Sequence, residues 1–106
     1  MSEHVRILGF DPGTRVAGYG VIDAGPGGEL SVVSYGAIHL QKTGAKVDIP
    51  SRLRKLYEAL EEIVKEHGPA VLSLEKVFHG RSFESVMKVG EARGVGLLVG
   101  ALHDLE

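Results

Sequence analysis

Two carboxylates in this sequence stand where an apolar run gives out. Asp11 follows Val5-Arg6-Ile7-Leu8-Gly9-Phe10 and precedes Pro12-Gly13, and Glu75 follows Ala70-Val71-Leu72-Ser73-Leu74. Sheet-centred folds bind ligands beyond the carboxyl ends of their inner strands. Both acids are therefore candidates to meet a metal or a phosphate group. Side by side they would repel and raise each other's pKa unless a cation lay between them. With no cysteine in the chain and no histidine at a matching strand end, oxygen ligation favours Mg²⁺, with Mn²⁺ as a substitute, over Zn²⁺. Ions held this way polarise a phosphate and activate water for in-line attack, so phosphodiester hydrolysis is the leading chemical class. Each acid alone has a plainer reading. Asp-Pro-Gly is a turn signal in its own right, and Glu75 beside Lys76 makes an ordinary surface ion pair. The weight comes from a shared sheet edge.

Just past Glu75 lies Phe78, among Lys76, His79, Gly80 and Arg81. An aromatic ring amid cations can stack on an unpaired base, worth ~1–3 kcal/mol, with Lys76 and Arg81 placed to meet phosphates. Burial of Phe78 in the core is the competing reading. Arg81, Lys88 and Arg93 could follow a phosphate backbone, but Glu84 and Glu91 dilute that patch toward a solvated helix face. His4, His39, His67, His79 and His103 show no ligand spacing.

The elements that must position these residues follow from apolar patterning. Residues 5–10 form a nearly continuous apolar run, the mark of an inner strand buried on both faces. A second strand spans 16–23, a Gly/Pro turn occupies 24–28, and a third strand spans 30–40, giving an antiparallel meander. Residues 41–49 are polar and aperiodic and read as a loop. From Pro50 to His67, Leu53, Leu56, Tyr57, Leu60, Ile63 and Val64 recur at amphipathic-helix spacing, and Gly68-Pro69 stops the helix. A short strand, 70–74, then follows. The helical crossover is expected to be right-handed and to set this strand beside 5–10 in the same direction, which would bring Asp11 and Glu75 to one edge. A second helix begins near Ser82 and runs to about the chain end. Its second half, Val95 to Leu102, carries no charge, so more than one neighbour is expected to bury it. Gly90, Gly94, Gly96 and Gly100 each cost roughly 1 kcal/mol in a helix, which close approach by another backbone would offset.

The bulk numbers agree with one α/β domain. The chain has 106 residues, 43% hydrophobic and 25% charged, with a formal net charge of -2, so any nucleic-acid contact must come from a local patch. No apolar run approaches the ~20 residues of a membrane span. No signal peptide is visible, and the expected compartment is the cytoplasm.

On these residues the chain resembles the RuvC family of bacterial Holliday junction resolvases. The resemblance rests on Gly9-Phe10-Asp11-Pro12-Gly13 with Gly18-Tyr19-Gly20-Val21, Pro50-Ser51-Arg52-Leu53, Leu74-Glu75-Lys76-Val77-Phe78, and Lys88-Val89-Gly90-Glu91-Ala92-Arg93-Gly94-Val95. It implies an RNase H-like fold: a mixed sheet with antiparallel strands 1–3, a fourth strand parallel to the first, and flanking helices. It also implies a homodimer formed through the glycine-rich helix 82–105, and Mg²⁺-dependent nicking of four-way junction DNA in recombinational repair, alongside branch-migration proteins. Asp11 and Glu75 would be the first two metal-binding catalytic carboxylates, and Phe78 the aromatic wedge against junction bases. The family takes its remaining catalytic residues, commonly two aspartates on a late helix, from positions beyond residue 106, and Asp104 and Glu106 sit at the wrong place to replace them. The expectation is a single domain, 1–106, incomplete at its C-terminus and weakly active or inactive alone. Two alternatives stand beside it. One is a junction-binding or dimerisation module without turnover. The other is a nucleotide-binding domain of the sugar kinase and actin type, against which Glu75-Lys76-Val77-Phe78 argues.

Overall fold

The computed structural model describes residues 4–41, 46–74 and 83–106. In it, β1 (Val5–Asp11), β2 (Val16–Ala24) and β3 (Leu30–His39) are followed by α1 (Ile49–His67), β4 (Val71–Leu74) and α2 (Phe83–Leu102). The four strands form one sheet in the order β3-β2-β1-β4, with β1 antiparallel to β2, β2 antiparallel to β3, and β1 parallel to β4. This is the mixed sheet the strand, helix, strand order predicts, with strand ends displaced by a residue. Beyond α2 the backbone returns to the outer edge of β4. There the Leu72 amide donates to the Glu106 carbonyl at 2.9 Å and the Glu106 amide to Ala70 at 3.1 Å.

Period-2 alternation sends Leu8 and Phe10 of β1, Ala17 and Val21 of β2, and Ile38 of β3 into a core closed by Leu56, Leu60 and Val64 of α1 and Ala92 and Val99 of α2. The three buried residues of α1 are four apart, so one stripe of the helix meets the sheet. The other face of the sheet is open among the described residues: Val5, Val16, Leu30, Val32 and Tyr35 are all exposed. β1 is thus buried on one face, not two. Its nearly continuous apolar run, broken by Arg6, includes Ile7 and Gly9 on the open side, which are flanked by the equally uncharged Ile22, Gly20 and Val71.

Two further expectations are revised. Residues 41–49 are not wholly loop. Asp48 caps α1, its carboxylate accepting from the Ser51 amide at 2.8 Å, and Ile49 and Pro50 already belong to the helix. At the other end Gly68 adopts φ 59° and its amide donates to Val64, a left-handed cap suited to glycine. In α2, the charge-free half is not enclosed: Leu97, Leu98 and Leu102 are each about half exposed. What lies close is the sheet. A Cβ on Gly96 would come within 2.7 Å of the Phe10 ring, and one on Gly100 within 2.9 Å of Leu72, whereas Gly90 and Gly94 face open space. Ser82, the proposed start of this helix, lies outside the described residues.

Candidate active site

Asp11 ends β1 on the open face of the sheet. Its register partner is Gly18, and Gly9 pairs with Gly20, so the floor beside the carboxylate lacks side chains. A Cβ on Gly18 would lie 3.7 Å from that of Asp11. A larger side chain there would crowd the carboxylate. The result is an open hollow of about 440 Å³ lined by Gly9, Asp11, Gly18, Gly20 and Ser73. Asp11 is exposed and has no hydrogen-bond or ion-pair partner among the described residues. Its oxygens can accept from a donor or coordinate a hard cation.

The turn that follows is held from three sides. A Cβ at Gly13 would collide with the Val16 carbonyl oxygen, so the turn closes only around glycine. The amides of Leu40 and Gln41 donate to the Arg15 carbonyl at 2.8 and 3.2 Å. From α1, Arg52 donates through Nε to the Val47 carbonyl at 2.7 Å and through Nη1 to the Thr14 carbonyl at 3.4 Å. A second concavity of about 480 Å³ opens here, lined by Asp11, Thr14, Arg15, Arg52, Lys88 and Val89. Asp11 therefore stands on the ridge between a glycine-floored hollow and a basic pocket. Sequence reasoning gives Arg15 and Arg52 no part in the site and leaves Lys88 on a solvated helix face. Their convergence from three separate elements has no local sequence signal.

β4 runs out of the sheet alongside β1, the last parallel pair being Phe10 with Leu74. The candidates that follow it, Glu75, Lys76, Phe78 and Arg81, lie outside the described residues. Among the described residues no group of three or more His, Cys, Asp or Glu side chains could hold a metal. Asp11 fits a share of a Mg²⁺ site, since that ion takes one or two carboxylates and keeps several waters.

The groups whose titration is displaced serve the scaffold. Asp23 is held below the usual carboxylate range by its hydrogen bonds from Arg6, at 2.8 and 2.9 Å, with the guanidinium's charge adding to them. The same guanidinium donates to the His67 carbonyl at 2.9 Å, tying β1 and β2 to the end of α1. Asp48 is lowered by its hydrogen bonds with Ser51. Glu61 is lowered chiefly by His103, whose Nε2 lies 2.5 Å away across the α1–α2 contact.

Comparison with known proteins agrees with the fold. The family described as crossover junction endodeoxyribonuclease RuvC matches residues 7–105. The chain is 42% identical over 99 residues to the crossover junction endodeoxyribonuclease RuvC of Proteus mirabilis, covering 93% of this chain and 54% of that protein. It is 38% identical over 100 residues to the one from Alkaliphilus metalliredigens, covering 94% and 58%. The structure of T. thermophilus RuvC in complex with Holliday junction substrate superposes with a TM-score of 0.84 at 21% identity, over 95% of this chain and 59% of that one. The chain thus spans little more than half the length of the relatives it matches. A family match across nearly every residue, on a sheet that delivers Asp11 to its edge, places the chain in the crossover junction endodeoxyribonuclease RuvC family.

Proposed function

We propose that this chain is the front half of a structure-selective endonuclease that resolves four-way DNA junctions by Mg²⁺-dependent phosphodiester hydrolysis. The observation that carries the reading is the Asp11 carboxylate at the end of β1, unpartnered among the described residues and one residue beyond the rung where β1 and the parallel β4 last pair. Glu75 follows β4 directly in sequence and would supply the second carboxylate. The bound ion, with Mn²⁺ as a substitute, would supply Lewis-acid charge at the scissile phosphate. The chain's own share is to hold Asp11 rigidly through the clamped turn, to leave room for a sugar-phosphate over the glycine floor, and to meet junction bases and phosphates with Phe78, Lys76 and Arg81. The half-exposed Leu97, Leu98 and Leu102 with open Gly90 and Gly94 suit packing of α2 against its copy in a homodimer. Branch-migration proteins are the further partners that this role implies.

The test is cleavage of a synthetic four-way junction with Mg²⁺ by a form extended to the relatives' length. Asp11→Asn is expected to lower the rate by about a hundredfold or more; undiminished nicking would end the proposal. A second reading, a junction-binding or dimerisation module without turnover, is favoured by the half-exposed leucines on the outer side of α2. Binding without cleavage by the extended wild type would select it.

A further inference from the structure

The proposed hydrolysis assigns no ligand to the basic pocket behind Asp11. It is lined by Arg15 from the β1–β2 turn, Arg52 from the first turn of α1 and Lys88 from α2, and Asp11 is the acid among its lining residues. In a chain of net charge -2, three cations around one pocket of about 480 Å³ make a local reversal of sign. Arg52 is partly buried, and two of its five N–H donors are spent on the Val47 and Thr14 carbonyls. Those bonds fix the plane of the guanidinium and leave donors of a rigid fork for a second acceptor. A guanidinium oriented in advance, with an ammonium and a second guanidinium at the same cavity, suits the tetrahedral oxygens of a phosphate.

From this we propose that Arg15, Arg52 and Lys88 form a phosphate subsite for a DNA strand, seating the backbone phosphate next to the one presented to Asp11. The subsite rests on the nuclease reading for its ligand but not for its test. It is a positioning device. By anchoring a neighbouring phosphate it sets which phosphodiester lies over the hollow, and through the Arg52–Thr14 bond it couples occupancy to the turn that carries Asp11.

The experiment is a titration of a short oligothymidylate, without metal, into the isotopically labelled chain, followed by amide and guanidinium NMR at several salt concentrations. Inorganic phosphate serves as a parallel arm. Shifts are expected at residues 13–16, at the Arg52 Nε–H and at residues 88–89. Lys88→Gln and Arg15→Gln are each expected to reduce the slope of log affinity against log salt by roughly one. Arg52→Lys should keep the slope but weaken binding, because the charge stays while the fork is lost. Arg52→Gln also frees the Thr14 carbonyl, so its fold is checked by thermal melting. Shifts confined to other surfaces, unchanged slopes in both Lys88→Gln and Arg15→Gln, or equal affinity for free phosphate and the oligonucleotide would overturn the subsite. If the oligonucleotide binds here while the extended form fails to cut junctions, the nuclease reading falls and the subsite stands.

Discussion

A carboxylate without a partner contributes nothing to holding a fold together, and Asp11 has none among the described residues. Its place is explained by the chemistry proposed for it, and that has a measurable side. Asp11→Asn is expected to leave stability within about 0.5 kcal/mol of wild type, by thermal melting, while the cleavage of an extended form collapses. A large loss of stability would mean that the residue is structural. Arg6 is the opposite case. Its guanidinium ties Asp23 on β2 to the His67 carbonyl at the end of α1, and Asp23 titrates below its ordinary range because of it. A carboxyl whose folded pKa is depressed binds its proton more readily in the unfolded chain, so its stabilisation is present above the unfolded pKa and lost as pH falls through the folded one. Glu61, lowered by His103, obeys the same sign. Denaturant titrations should therefore show stability falling as pH drops through and below the carboxylate range, around pH 4. Asp23→Asn is expected to be less stable at neutral pH and to flatten that acid limb; an unaltered slope would assign it to other groups. At this scale, the sequence shows Asp11 because strand ends can be read from apolar runs. Arg52 is hidden because its two acceptors, Val47 and Thr14, belong to different parts of the chain and meet only in the fold.

Elements were legible wherever a local rule decides them. The stripe of Leu56, Leu60 and Val64, the Gly68 stop and the parallel placement of β4 beside β1 all follow from spacing and crossover handedness. Errors arose where a residue's meaning depends on what stands opposite. Asp48 lies in a polar stretch that reads as loop, yet in front of Ile49-Pro50 it is a helix cap. The α2 glycines look alike in sequence but divide by face: Gly96 and Gly100 admit Phe10 and Leu72, while Gly90 and Gly94 admit nothing. Opposite effects of one substitution follow. Gly96→Ala would push a methyl into the Phe10 ring, and we expect a loss of about 1–3 kcal/mol from overpacking. Gly94→Ala meets open space and should raise helix stability by up to about 1 kcal/mol. Chemical denaturation at low protein concentration checks both, and equal effects would show that the sheet does not press on α2 at Gly96.

Across the whole molecule, two apolar surfaces are exposed on opposite layers. One is the open face of the sheet, with Val5, Val16, Leu30, Val32 and Tyr35; the other is the outer side of α2, with Met87, Leu97, Leu98 and Leu102. Exposed patches of this kind mark candidate pairing surfaces, and on the proposed function the position of Asp11 decides which of them could join two copies. The sheet face also carries the hollow of Gly9, Gly18, Gly20 and Asp11, so a second copy docked there would lie beside the site and obstruct a DNA strand. The outer side of α2 leaves that hollow open. Its exposed residues recur at three- and four-residue intervals, Met87, Gly90, Glu91, Gly94, Leu97, Leu98, Ala101 and Leu102, and the two open glycines remove the side chains that would keep a second helix at a distance. If the proposed homodimer forms through α2, Leu98→Glu is accordingly expected to make it monomeric in sedimentation equilibrium without altering helix content, since the residue is half exposed and holds up no core. Val32→Glu, on the sheet, should leave the dimer intact. The reverse pattern, with Leu98→Glu still dimeric and Val32→Glu monomeric, would move the interface onto the face that bears Asp11 and count against open access for DNA.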